Sequence, residues 1–124
     1  MKTAVTISRV LLGVIFFVLG LNGFLFFIPA PPIGGDAGTF SEILVRTHYI
    51  YLTAGVQVVA GVLLLSNQFV RFALVMLAAM LANILVFHIT MMPSGLPVPL
   101  IVAVLWFIVA YSQRAQFAIL FARR

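Results

Sequence analysis

Four uncharged polar side chains could do chemistry in this chain of 124 residues, because long apolar stretches flank each of them: Asn22, Gln57, Asn83 and His88. A polar group in apolar surroundings costs free energy unless it is hydrogen bonded, so each of the four needs a partner or a function. Amide and imidazole groups can hydrogen bond the polar head of a small molecule. We therefore predict that these side chains line a polar ligand-binding pocket.

The same side chains also have a purely structural interpretation. Asn and Gln commonly form hydrogen bonds between helices in membranes, each contributing about 1 kcal/mol or less. His88 has more chemical scope than the amides, because an imidazole can carry protons, ligate a metal or hydrogen bond a quinone carbonyl. Alternatively, it bonds to a neighbouring helix or lies among lipid headgroups. Both interpretations stay open at this point.

Metal and thiol chemistry find little support in the sequence. His48 and His88 are expected at a similar depth, but two histidines at one level are a weak signal and we do not expect haem. A zinc site needs more ligands than these residues offer. The chain contains no cysteine, which excludes dithiol, disulfide and thiolate chemistry. We predict no metal site, and the chain is not a thiol redox enzyme.

Composition points to lipid as the solvent of the elements that carry these residues. Hydrophobic residues make up 65% of the chain and charged residues 7%, whereas soluble domains are about one quarter charged. Seven basic and two acidic side chains cannot form the charged surface of a soluble globule. The net charge of +5 comes from scattered residues beside apolar runs, which is typical of membrane proteins. We predict a lipid bilayer as partner and no nucleic acid.

Four apolar stretches follow one another along the chain, at about 9–28, 47–65, 69–90 and 97–120. Each has roughly 20 residues, which as a helix is about 30 Å long and matches the hydrocarbon thickness of a bilayer. Proline, glycine and polar residues separate them, and the runs are continuous rather than alternating, which favours helices over strands. The sequence therefore predicts one all-α domain over residues 1–124, a transmembrane four-helix bundle.

The distribution of basic residues predicts the orientation. Four crossings place six basic residues on one side of the membrane: Lys2, Arg9, Arg71, Arg114, Arg123 and Arg124. Arg46 is the one basic residue on the other side. The positive-inside rule then puts both termini in the cytoplasm. Helical rise places Asn22 and Asn83 roughly 19 and 18 Å beyond Arg9 and Arg71, so the predicted pocket lies toward the outer leaflet.

Two further patterns concern packing and the outer loop. Gly13 and Gly20 share one face of the first stretch, which allows close helix contact. Gly55 and Gly61 reduce the side-chain bulk of the second stretch. The loop over 29–46 begins rich in proline and glycine and ends in a segment that predicts a helix, with Thr39 or Ser41 as its N-cap. We interpret this loop as a surface lid or an interfacial turn.

Several of these pieces resemble the DoxX-like family of small four-span bacterial membrane proteins, over nearly the whole chain. The matching segments are Arg9-Val-Leu-Leu-Gly13, Gly20-Leu-Asn22-Gly-Phe24, Gly61-Val-Leu-Leu-Leu65 and Asn83-Ile-Leu-Val-Phe-His88. The resemblance implies a four-helix bundle in the bacterial plasma (inner) membrane. Some members of the family are subunits of quinone-linked oxidoreductases, one of which oxidises thiosulfate, and eukaryotic relatives include assembly chaperones. Related thiol redox proteins use cysteine pairs, which this chain lacks.

Three functions follow from the residues and the resemblance. The first is a redox-linked subunit that binds a quinone or another lipophilic ligand in the predicted pocket; whether the chain itself is an enzyme stays open. The second is a non-enzymatic scaffold, assembly factor or accessory subunit, which acts through a membrane-protein partner or as a homo-oligomer. The third is a carrier for a small solute, which the scarcity of polar groups at mid-depth disfavours.

Overall fold

The computed structural model describes residues 2–28 and 32–122, and within these ranges the chain is all-helical, without strands. The predicted all-α class is therefore confirmed. The described residues form six α-helices and one short 3₁₀ turn: α1 (Lys2–Leu25), α2 (Gly35–Arg46), α3 (Ile50–Ser66), α4 (Val70–Met91), the 3₁₀ turn (Pro93–Gly95), α5 (Pro97–Ser112) and α6 (Arg114–Leu120).

Two of these helices, α1 and α4, are each long and apolar enough to cross a membrane alone. The 17-residue α3 and the 16-residue α5 are shorter, and each adjoins a helix that is turned sharply away from it. The bend between α2 and α3 is 84°, and the bend between α5 and α6 is 86°. The described helices thus supply two candidate membrane spans, or up to four when each bent pair counts as one.

The first and fourth apolar stretches differ from the helices that form. The first helix begins at Lys2, before the expected start, and ends at Leu25 rather than at residue 28. The fourth stretch is divided at Gln113, so the helix expected over 97–120 turns after Ser112. Ser112 Oγ donates to the Val109 carbonyl at 2.5 Å, and such side-chain bonds compete with the helical backbone.

The segment before α3 forms a longer helix than expected. Gly34 is the N-cap of α2, and no side chain caps it, so the predicted cap at Thr39 or Ser41 is wrong. Thr39 lies inside the helix, where its hydroxyl donates to the Gly35 carbonyl at 3.2 Å. Asp36 in the first turn is placed favourably for the helix dipole.

The longer helices pack as neighbours around a common core. α1 and α4 each contact both α3 and α5, while α2 lies against α4. The largest fully buried side chains come from all four of the longer helices: Leu12, Phe16, Leu64, Leu74, Leu77 and Val109. Two polar bonds cross between helices inside this frame. Trp106 Nε1 donates to the Leu74 carbonyl at 2.9 Å, and the Arg9 guanidinium donates to the Leu64 carbonyl.

Glycines allow α1 and α3 to approach closely. A Cβ atom on Gly20 would lie 2.7 Å from the backbone nitrogen of Val58, and one on Gly61 would lie 2.7 Å from the backbone nitrogen of Phe17. Backbone atoms cannot move aside as a flexible side chain can, so these positions exclude larger residues. Gly55 differs, because nothing lies within 4 Å of the position its Cβ would take.

Candidate functional site

A cavity of about 230 Å³ lies between α2, α3 and α4. Three of the four predicted ligand-binding residues line it: Gln57 from α3, and Asn83 and His88 from α4. The remaining lining is mostly apolar and aromatic, with hydroxyl groups among it: Phe40, Ser41, Leu44, Tyr49, Thr53, Met80, Ile84 and Phe87. The fold therefore brings polar groups from separate helices to one apolar-walled site, a composition typical of small-molecule pockets.

His88 is held in one orientation by its own helix. Its Nδ1 lies 2.8 Å from the Ile84 carbonyl oxygen, which can only accept a hydrogen bond. Nδ1 must therefore carry the proton, and in the neutral imidazole Nε2 is then an acceptor. A ligand hydroxyl or amide could donate to that nitrogen, whereas a ligand carbonyl has no proton to donate to it.

Two neighbours flank the His88 ring, Phe87 of the same helix and Gly95 of the 3₁₀ turn. The Phe87 ring meets it edge-on, with the ring centroids 5.1 Å apart. Gly95, in the 3₁₀ turn, approaches so closely that a Cβ there would lie 2.9 Å from His88 Cδ2 and 3.3 Å from Nε2. The glycine thus leaves room for the ring and for its second nitrogen.

The two amides of the cavity are available to a ligand. Gln57 is partly buried and Asn83 is exposed. Among the described residues, neither side chain hydrogen bonds a neighbouring helix, in contrast to the structural interpretation of such amides. Each amide can both donate and accept, so together they can satisfy a ligand carbonyl or hydroxyl.

Asn22 lies elsewhere and does not line the cavity. Its Oδ1 accepts a hydrogen bond from the Ile28 N–H at 2.8 Å, and its backbone carbonyl accepts one from the Phe26 N–H at 2.8 Å. These bonds close the end of α1, where Phe26 takes a left-handed backbone conformation with φ of 51°. The side chain of Asn22 thus has a local structural role.

The cavity has a roof that the predicted site did not include. Phe40, Ser41 and Leu44 of α2 line it, and the Phe40 ring packs against the Phe87 ring at a centroid distance of 5.6 Å. The signal in the sequence was the spacing of Phe40 and Leu44, four residues apart and so on one helix face. Which surface that face covers depends on the bend before α3, and hydropathy does not specify this bend.

His48 forms the bend between α2 and α3 and does not line the cavity. It takes a left-handed conformation with φ of 65°. Its ring stacks on Tyr51 at 5.4 Å, and Tyr51 stacks in turn on Phe24 of α1 at 5.3 Å. This aromatic stack ties the bend to the end of α1.

A groove between α3 and α4 continues from the cavity. The two share Tyr49, Thr53, Met80 and Asn83. Beyond these residues the groove is lined by apolar side chains: Leu52, Val56, Met76 and Ala79. Leu52 is 61% exposed, so the groove opens onto the outer surface of the helices. The site as a whole joins an apolar-walled cavity that carries several hydrogen-bonding groups to a groove with fewer of them.

The chemistry available in the cavity is hydrogen bonding by hydroxyl, amide and imidazole groups. No carboxylate is among its described lining residues, and no group of three histidines or acids in residues 2–28 and 32–122 is placed to hold a metal. No family model, curated protein or solved structure matches the chain. The geometry of the site therefore carries the functional argument.

Proposed function

We propose that this protein binds a lipophilic ligand whose polar head lies in the cavity under α2 and whose apolar tail follows the groove between α3 and α4. One observation carries the proposal. Gln57, Asn83 and His88 converge on a single cavity that continues into an apolar groove. A ligand with one hydrogen-bonding end and one apolar end is complementary to that arrangement.

The proposal includes a placement in the membrane. We place α1, α3, α4 and α5 across a bacterial plasma membrane as a transmembrane four-helix bundle, with both termini in the cytoplasm. Six of the seven basic residues belong to segments that this topology puts inside, which supports it. The resemblance to the DoxX-like family favours the same placement. The cavity then opens toward the outer leaflet, from which a lipophilic ligand can enter sideways.

The hydrogen-bonding groups favour a particular kind of head. Nε2 of neutral His88 accepts, so it suits the hydroxyl of a quinol, a phenol or a similar alcohol better than a quinone carbonyl. The amides of Asn83 and Gln57 can donate to an oxygen at the other end of such a head. We therefore propose a quinol as the preferred form of the ligand, consistent with a redox-linked subunit.

Binding measurements on the full chain test this function. Purified protein would be titrated with a short-tailed quinol and with the matching quinone, and its co-purifying lipids extracted and identified. We expect the quinol to bind more tightly, and His88→Ala to weaken its binding about two- to ten-fold, the effect of one lost hydrogen bond.

Thr90→Ala is the matched control. Thr90 is exposed on the same helix, and its hydroxyl donates only within that helix, to the Val86 carbonyl at 2.7 Å. Equal losses in both variants, or no saturable binding by either form of the ligand, would contradict the proposal. A stoichiometric protein partner that co-purifies with a ligand-free cavity would instead support an accessory or assembly role.

A further inference from the structure

The end of α4 remote from His88 carries a cation with no bonded partner among the described residues. Arg9 is occupied by the Leu64 carbonyl. Arg114 donates to the Tyr111 carbonyl at 2.9 Å and lies over the Tyr111 ring, 4.5 Å from its centroid. Arg71 stands exposed in the first turn of α4, and no hydrogen bond or ion pair within residues 2–28 and 32–122 engages its guanidinium.

Arg71 lies on the boundary between two surface depressions of different character. One has polar lining groups from Asn67 and Gln113. The other is a mainly apolar groove, lined by Val75 of α4 and by Phe117 and Leu120 of α6. Arg71 lines both. A cation between a polar and an apolar surface matches an amphiphile with an anionic head.

The short helix α6 forms one wall of the apolar groove. It turns 86° away from α5, so its side chains lie across the end of the longer helices. Ile119 is 72% exposed and Leu120 is 64% exposed, as expected of a helix whose apolar face is covered by acyl chains at the membrane boundary. Both acidic residues of the chain, Asp36 and Glu42, lie on α2. No acidic side chain therefore lies at this end of the described helices to neutralise Arg71.

We propose that Arg71 binds the phosphate of an anionic phospholipid. Asn67 and Gln113 lie beside the headgroup, and one acyl chain follows the groove along Val75 and Phe117. A guanidinium can form two parallel hydrogen bonds with phosphate oxygens, which suits an exposed arginine at the headgroup level. This site depends on the proposed membrane placement, but it is independent of the ligand cavity at the other end of α4.

Native mass spectrometry of the purified full chain tests the lipid site. The protein would be equilibrated with equal amounts of phosphatidylglycerol and phosphatidylcholine that carry the same acyl chains. We expect wild type to retain phosphatidylglycerol about five-fold more than phosphatidylcholine, which corresponds to one basic residue at a membrane surface. Arg71→Gln should reduce that ratio to about one, and Arg71→Lys should retain most of it.

Arg114→Gln is the matched control, because Tyr111 already engages that guanidinium, and it should leave the ratio unchanged. Thermal unfolding of each variant checks that the fold is intact, and His88→Ala should bind both phospholipids as wild type does. The proposal is overturned if wild type shows no preference, if Arg71→Gln keeps it, or if Arg114→Gln loses it equally. Displacement of the phospholipid by an equal concentration of soluble glycerol phosphate would also overturn it, because the apolar groove would then contribute nothing.

Discussion

A short bent helix lies at each end of α4, but the two proposed sites beside these helices differ in chemistry. At each end a short helix turns by about a right angle, 84° for α2 and 86° for α6, and lies beside the longer helices. α2 packs on α4 through Phe40 and Phe87 and so roofs an uncharged, apolar-walled cavity with several hydrogen-bonding groups. α6 instead leaves Ile119 exposed and borders an apolar groove beside a cation. The bend alone does not define a site; the residues that meet the bent helix decide whether the site carries uncharged hydrogen-bonding groups or a charge.

Gly20→Val is the substitution with the largest expected effect, because it should disrupt both proposed sites at once. Gly20→Val places side-chain atoms where a Cβ alone would lie 2.7 Å from the Val58 backbone nitrogen, so α1 and α3 must separate. We expect a loss of about 3 kcal/mol in unfolding free energy, at the upper end of typical overpacking effects. Unfolding measured in detergent gives the change. Binding of quinol and of phosphatidylglycerol should fall together.

Gly55→Ala is the control for that variant. It adds a methyl group to α3 in open space and should stabilise the helix slightly, by up to about 1 kcal/mol. If Gly20→Val were as stable as Gly55→Ala, the close contact between α1 and α3 would not be part of the fold in the membrane.

Phe40→Ala should have a smaller effect and should change ligand binding at only one of the two proposed sites. Phe40→Ala removes the aromatic contact that holds α2 on α4, and Phe40 is 39% exposed, so only part of its burial is lost. We expect α2 to loosen by about 1 kcal/mol, quinol binding to weaken several-fold, and phosphatidylglycerol binding to stay unchanged. Hydrogen exchange of the α2 amides measures the loosening. Unchanged exchange together with unchanged quinol affinity would show that α2 is not the roof of the binding site.

Asn22→Ala has the smallest expected effect, and it tests whether Asn22 differs in role from the three cavity residues. Asn22→Ala removes the hydrogen bond to the Ile28 N–H and should cost about 1 kcal/mol locally, seen as faster amide exchange after Leu25. Quinol affinity should not change. A loss of affinity as large as that of His88→Ala would place Asn22 in the ligand site after all.

Hydropathy was sufficient to predict the helical class, because apolar runs of about 20 residues leave few alternatives to a helix in lipid. It was also sufficient to single out His88 and Asn83 as polar residues in an apolar helix. It could not show that Gln57 faces them, because the rotation of α3 against α4 is set by packing. Nor could it assign Asn22, whose bond to Ile28 depends on the left-handed turn at Phe26.

Hydropathy could not predict the two bends between helices, for a related reason. Apolar residues continue after Gln113 as far as Phe121, so the fourth stretch reads as one helix although its backbone turns. The polar run Ser112-Gln113-Arg114 marked the break, but polar residues also occur within straight helices. The direction of α2 was equally hidden, because the spacing of Phe40 and Leu44 gives a face without saying what lies under it.

The bond between Trp106 and the Leu74 carbonyl has a practical consequence. Trp106 is the single tryptophan of the sequence, and it joins α5 to α4 at Leu74, within about one helical turn of Arg71. Its fluorescence comes from one known junction, so a shift in emission would report the parting of these two helices without any attached dye. The protein thus contains an intrinsic fluorescent reporter of whether ligand binding under α2 changes the contact between α4 and α5 at the other end of α4.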